Sequence, residues 1–274
     1  MIKILITVVL TLVALLSSCI REDRTHCPCN LHVDLSRVDV DYVHKVDLVM
    51  SDVAVDGYPE WYAVDKKYIG DTLIIQVDKS EFDFCAWGNL ATSLPDDRSR
   101  IISPVDAPDS LWSCYRRIVT RCEDAYVTVL PERQFIPVTI IIRGMLQGIS
   151  NIRPALNFIS DCLDYNGEAK GIPQILIPKL ISSPHQGQGY YLYRTMILTQ
   201  QSATDAHLEL EFERNGKTIK GDYPVGEMLL EIGEDISQRD QNPIVLDLTL
   251  GATDIFVTIK VIDWVTHGVF TITY

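Results

Sequence analysis

The chain reads as an all-β protein, two β-sandwiches in tandem behind a cleavable leader. Three observations predict this. Short apolar or alternating runs recur along the chain, separated by Gly, Pro, Asn and Asp. Pro131 to Pro137 (PERQFIP) interrupts that strand-rich texture with two prolines and two charges, and marks the boundary between the halves. The first thirty residues have a different character from everything that follows. The expected segments are 1–18 as leader, 19–30 as tether, 31–130 as the first sandwich and 131–274 as the second.

Lys3 is the only charge before the apolar run Ile4 to Leu16. That run is too short to span a bilayer, which takes about 20 apolar residues, and suits the h-region of a secretory signal. Leu16-Ser17-Ser18-Cys19 follows. This resembles the lipobox of bacterial lipoproteins, which implies cleavage before Cys19, a diacylglycerol on its sulfur and a further acyl chain on the new amine. Small side chains at 17 and 18 admit a peptidase, and only a thiol offers the sulfur nucleophile. The other reading is an ordinary signal peptide cut near Ala14 or Ser18, with Cys19 a chance thiol. Each buried methylene contributes about 0.8 kcal/mol, so more than one chain makes attachment stable. Ile20 to Arg24 would then be a polar tether. Its Glu22-Asp23 pair resembles the surface-export signal of Bacteroidetes lipoproteins.

In the first half, Leu31 to Leu35 and Lys45 to Val55 read as strands. Asp34, Asp39, Asp41, Asp47, Asp52 and Asp56 alternate with Val and Leu as a solvated face would. Thr72 to Val77 and Phe82 to Trp87 read as a hairpin through Asp78-Lys79-Ser80. Leu94 to Asp109 reads as a surface loop, Ser110 to Arg121 as a helix capped by Asp109 or Ser110, and Tyr126 to Leu130 as a strand. In the second half, strands are expected at Val138 to Ile142, Ala155 to Ile159, Gln174 to Ile177, Tyr190 to Leu198 and Leu208 to Phe212. Asn215-Gly216 is the strongest hairpin signal, because a type I′ turn needs positive φ at both central residues. Met228 to Ile232, Ile244 to Leu250, Ile255 to Ile262 and Val269 to Thr273 complete the series. Strands at this spacing argue for sandwiches.

Hydrophobic residues make up 47% of the chain and charged residues 22%, a globular composition. A net charge of −13 repels phosphate backbones, so no nucleic-acid partner is expected. With Cys19 assigned to lipid, Cys27, Cys29, Cys85, Cys114, Cys122 and Cys162 remain in an oxidising setting where disulfides are expected. Their connectivity is open. Cys114 and Cys122 could pair locally if the segment is not a continuous helix. Cys27 and Cys29, separated by Pro28, cannot readily bond each other.

His26, Cys27, Cys29 and His32 could be drawn as a zinc site, but a single intervening proline gives poor chelation and disulfides are preferred. Glu231, Glu234, Asp235 and Asp240 lack the spacing and glycine of an EF-hand, so a solvated loop is preferred to calcium. G-x-S-x-G, H-E-x-x-H, the P-loop and G-x-G-x-x-G are all absent from the sequence. No catalytic residue, no metal and no cofactor beyond the lipid on Cys19 is expected, and the chain reads as non-enzymatic. Trp87 and Trp264 each end a strand, and a core-capping role is preferred to a ligand platform.

The lipobox cysteine, the acidic tether and Cys27-Pro28 leading into a first strand resemble the FimB-type fimbrial anchor family of Bacteroidetes. Phe84-Cys85-Ala86-Trp87-Gly88-Asn89 resembles that family's strand ending in A-W-G, and Val261-Ile262-Asp263-Trp264 its late V-x-D-W strand. Cys29 and four further cysteines have no match in that pattern. The resemblance implies two transthyretin-like β-sandwich domains and a minor subunit that holds a pilus on the outer membrane of a Gram-negative cell. In related stalk pilins a protease removes the first strand, and the next subunit's C-terminal strand fills the groove. An anchor keeping its lipid and first strand would block growth at its own groove, yet could donate a C-terminal strand to the last stalk subunit.

The candidate donor is Val269, Phe270, Thr271, Ile272, Thr273 and Tyr274. Phe270, Ile272 and Tyr274 alternate with Val269, Thr271 and Thr273. Three buried large side chains would contribute about 5–9 kcal/mol before ordering costs. The same strand could equally complete its own domain. A different class of function, a surface lipoprotein binding glycan or host ligand through Tyr190, Tyr191 and Tyr193, is the alternative.

Overall fold

Alternation of apolar and polar residues in the sequence becomes alternation of buried and exposed positions along the strands. The computed structural model describes residues 27–41, 43–55, 59–90, 100–102, 111–160, 162–184, 189–251, 255–262 and 269–273. The protein is all-β. In the first half the strands are β1 (Cys29–Asp34), β2 (Val46–Asp52), β3 (Glu60–Val64), β4 (Thr72–Val77), β5 (Glu81–Gly88), β6 (Arg100–Ile102), β7 (Trp112–Val119), β8 (Asp124–Thr128) and β9 (Glu132–Arg133). They form a three-stranded sheet, β4-β1-β8, and a five-stranded sheet, β3-β2-β5-β7-β9. Leu31 and Val33 of β1 meet Leu48 and Met50 of β2 and Phe82, Phe84 and Ala86 of β5 between the two sheets. That face-to-face burial is the first sandwich.

Four expectations need correction here. Thr72–Val77 and Glu81–Gly88 are strands, but not a hairpin. β4 pairs with β1, whereas β5 pairs with β2 and β7, so the chain changes sheets at the turn. The segment expected as a helix is β7, in which Ser113, Cys114 and Ile118 are buried and Arg116 and Arg117 exposed. Within the expected loop, Arg100–Ile102 is a strand. Asp47 lies not on a wet face but buried at 4% exposure, with Lys45 Nζ 2.9 Å from its carboxylate. Asp34, Asp39 and Asp52 instead accept backbone N–H groups two residues on, the Asx-turn role of a short carboxylate.

The second half contains β10 (Phe135–Gly144), β11 (Ile149–Ile159), β12 (Cys162–Asp164), β13 (Ala169–Lys170), β14 (Gln174–Leu176), β15 (Lys179–Ser182), β16 (Tyr191–Leu198), β17 (His207–Arg214) and β18 (Lys217–Tyr223). A helix α1 (Val225–Glu231), β19 (Ile244–Leu250), β20 (Ile255–Ile262) and β21 (Val269–Thr273) follow. A six-stranded sheet, β15-β16-β10-β19-β20-β21, faces a four-stranded one, β14-β11-β17-β18. Ile140 and Ile142 of β10 and Leu246 and Leu248 of β19 pack on Leu208, Leu210 and Phe212 of β17. Pro137 is tolerated in β10 because the ladder to β19 begins only at Val138. Asn215 and Gly216 take φ of 50° and 78° and close the β17–β18 hairpin as the sequence predicts.

Met228 to Ile232 is a helix rather than a strand. Val225, Met228 and Leu229 stand at i, i+3 and i+4, one helical face, and all three are buried. Gly226 lets this helix sit close, since a Cβ there would lie 2.5 Å from the Ala203 carbonyl oxygen.

Candidate functional site

The terminal strand β21 pairs antiparallel with β20, Val269 opposite Ile262 and Thr273 opposite Thr258, and ends the six-stranded sheet. One side of its backbone is therefore engaged, and no further strand follows it in that sheet among the described residues. Cys19, His26, Trp264 and Tyr274 lie outside the described residues. At the other end of the chain, β1 occupies the middle of its sheet, antiparallel to β4 and parallel to β8. Its outer face carries His32, which stacks on Tyr126 with ring centroids 4.6 Å apart and places Nε2 3.1 Å from Asp124 Oδ1.

Between the halves lies a third cluster that the sequence did not announce. Val49, Cys85, Trp87, Leu90 and Leu111 of the first half pack on Phe135, Leu163 and Leu198 of the second. β5 thus buries both faces: Phe82, Phe84 and Ala86 inside its own sandwich, Cys85 and Trp87 in the seam. Trp87 is 0% exposed, and its Nε1–H donates to the Tyr165 carbonyl at 2.9 Å. It is a structural wedge, not a platform for ligand. β12 reaches across to pair with β6.

Polar contacts close the same seam. Gln134, 0% exposed, donates from Nε2 to Ser113 Oγ at 2.7 Å, while its backbone bonds Leu111 on one side and Thr199 on the other. Arg133 Nε donates to Asp240 Oδ1 at 2.7 Å, and Arg239 Nη2 donates to the Asn166 carbonyl at 2.7 Å. The proline-flanked crossing is therefore packed and hydrogen-bonded. A polar cleft of about 640 Å³ opens beside it, lined by Glu132, Lys170, Gln201 and Gln238 among others.

Burial is the main reason the Asp164 carboxyl titrates above the ordinary aspartate range, although the Asn166 and Glu168 N–H groups oppose it. A folded-state pKa raised in this way favours folding below the unfolded value, about 3.9, and that contribution is lost as pH rises through the folded value. Asp164→Asn keeps the acceptor oxygen and removes the charge. Its melting temperature should exceed the parent's at pH 7, with the difference closing near pH 3; thermal melts followed by circular dichroism at both pH values measure this.

In the structure Cys27 and Cys122 are exposed thiols, Cys29, Cys85 and Cys114 are buried ones, and Cys162 is buried in β12. Cys85 and Cys114 are neighbours across β5 and β7 but belong to opposite faces, the seam and the first sandwich. Cys114 accepts the Leu130 N–H at 3.3 Å. β7 runs extended from 114 to 119, about 16 Å of strand, which carries Cys114 away from the bend that holds Cys122. Burial pushes the Cys85 and Cys114 thiols up, which suppresses the thiolate needed for nucleophilic chemistry. Among the described residues no group of three or more His, Cys, Asp or Glu could hold a metal ion. Tyr62 and Tyr115 are pushed up to about 12, first by burial and then by hydrogen bonds to Glu60 and Asp83.

The tyrosines expected to present a ligand face do not form one. Tyr193 is 6% exposed and donates its hydroxyl to the Ile152 carbonyl at 3.2 Å, and Tyr191 packs against the second core.

No family model matches the chain, and no curated protein matches it either. Its architecture is nonetheless found in adhesin candidates and a fimbrial anchor protein of Bacteroidetes. A polysaccharide-binding candidate from Bacteroides thetaiotaomicron superposes with a TM-score of 0.60 at 14% identity, covering 89% of this chain and 98% of that one. An adhesin candidate from the same species gives 0.58 at 11% identity, over 85% and 96%. The fimbrial anchor protein Mfa2 of Porphyromonas gingivalis gives 0.55 at 10% identity, over 88% of this chain and 100% of that one. At these identities the likeness is one of fold.

Proposed function

We propose that the chain is a non-enzymatic minor fimbrial subunit, anchored by lipid on Cys19 to the outer membrane at the cell surface. It holds a pilus there, limits its growth, and joins the fimbrial stalk subunit by β-strand addition. One observation carries this reading: Leu16-Ser17-Ser18-Cys19, similar to a lipobox, stands ahead of two β-sandwiches whose arrangement follows a fimbrial anchor along that protein's whole length. The packed seam suits a part under tension, because load crosses from one sandwich to the other through a shared core. β21 is the candidate donor. Donation requires it to leave β20, and the pilin would then supply main-chain hydrogen bonds and side-chain pockets in exchange.

Truncation after Gly268 tests the strand. The shortened chain should keep its circular dichroism spectrum and lose capture of the stalk pilin in a pull-down from surface-shaved cells. If it unfolds, the strand belongs to its own core and donation is wrong. Mass spectrometry of Cys19 in native protein, with Cys19→Ala as control, tests the anchor.

A further inference from the structure

The beginning of β1 carries two cysteines, and the bend just before β8, its parallel neighbour, carries a third. The β1–β8 ladder pairs Asn30 with Asp124, and the Asn30 N–H donates to the Glu123 carbonyl at 2.8 Å, so the strands are still adjacent one residue before the ladder. Extending the register places Pro28 opposite Cys122. Cys27 and Cys29 flank that proline, each one residue off register from Cys122. In an ideal ladder continued to these residues, strands about 4.8 Å apart with about 3.3 Å rise per residue would put each Cα–Cα separation at about 5.8 Å. Disulfides span about 4.4–6.8 Å. Cys122 sits in a bend beyond the strand, so pleat alternation does not fix its side chain. Cys27 and Cys122 are exposed and Cys29 is buried. Burial first, then Asp124 and then Cys122 push the Cys29 thiol up, so Cys122 lies within electrostatic reach of Cys29.

We propose that after export Cys122 forms a disulfide with one cysteine of the Cys27-Pro28-Cys29 pair, fastening the start of β1 to the start of β8. This deepens the anchor reading, since β1 is the first strand after the tether. Without the bridge, tension on the tether acts on the hydrogen bonds of β1. With it, tension passes through a sulfur–sulfur bond into β8. The oxidant is a disulfide, either a thiol–disulfide oxidoreductase of the exported compartment or a small-molecule disulfide. The Cys122 thiolate attacks one of its sulfurs, the oxidant's S–S bond breaks, and one oxidant sulfur leaves as thiolate. A thiolate from Cys27 or Cys29 then attacks Cys122 Sγ and expels the second oxidant sulfur. Two protein thiols lose two protons and two electrons, and the oxidant is reduced to a dithiol.

The test uses full-length protein from outer membranes, alkylated in acid-quenched extract and digested with trypsin without reduction. The expected product joins residues 25–37 to residues 122–133. Recovery of both peptides with every cysteine alkylated overturns the proposal. In parallel, dithiothreitol should lower the melting temperature of the parent by on the order of 10 °C and leave Cys122→Ser unmoved. An equal response in both proteins also overturns it. The bridge should form in Cys19→Ala as well, so its outcome is separable from that of the lipid.

Discussion

Trp87→Ala should cost about 3–5 kcal/mol of stability, the range for deleting a buried aromatic whose surroundings collapse only in part. The side chain is fully buried between the halves, so its removal empties the middle of the seam. It also strips the Tyr165 carbonyl of the indole N–H that donates to it. The Tyr165 acceptor is part-buried, so leaving it alone adds a penalty toward the low end of about 1–3 kcal/mol. Trp87→Phe separates the two effects: it retains much of the volume, loses the donor, and should cost less than the alanine variant. Urea unfolding by far-ultraviolet circular dichroism measures both. The alanine variant should also broaden or split the transition, because the seam couples the sandwiches. A loss below about 1 kcal/mol with one sharp transition would show that the seam carries no load.

The strands were legible where one face is apolar and both ends carry turn chemistry. Thr72–Val77, Ile244–Leu250, Ile255–Ile262 and Val269–Thr273 fall where the runs predict. Asn215-Gly216 was legible because its backbone demand is local. Partner choice was not. A short turn between β4 and β5 suggests a hairpin, and nothing local reveals that the chain changes sheets there. Ser110 to Arg121 misled because its paired arginines suit a helix as readily as the exposed end of β7. Met228 to Ile232 misled in reverse: five apolar-rich residues are too few to separate a period of 3.6 from one of two.

The seam was the largest omission, and one signal for it was present. Phe84 and Ala86 alternate with Cys85 and Trp87, so the second half of β5 is apolar on both faces. A strand with two apolar faces needs cover on each, which one sandwich cannot supply. Gln134 was invisible for the opposite reason. A glutamine between charges and proline looks solvated until the fold supplies Ser113, Leu111 and Thr199 around it.

Leu31→Asp should unfold the first sandwich outright. Leu31 is 0% exposed and stands opposite Ile75 on one side and Ala125 on the other, in the central strand of its sheet. A carboxylate there meets Leu48, Phe84 and their neighbours, and among the described residues no Lys, Arg or His is buried to pair it. The expected loss exceeds about 4–5 kcal/mol, a large share of the roughly 5–15 kcal/mol that holds a domain folded. His32→Ala is the matched control, because it changes the outer face of the same strand. It removes the ring stack on Tyr126 and the contact to Asp124, both at a partly exposed site, and should cost about 1 kcal/mol or less. The contrast bears on the proposed anchor role. If the inner face of β1 fixes the strand and the outer face does not, a pull on the tether works against Leu31 and Val33 and the flanking ladders. Leu31→Asp should then release the strand to protease after Arg37 while the second sandwich, whose core lies wholly beyond residue 135, keeps its protection. Equal proteolysis of both halves would mean that they unfold as one unit.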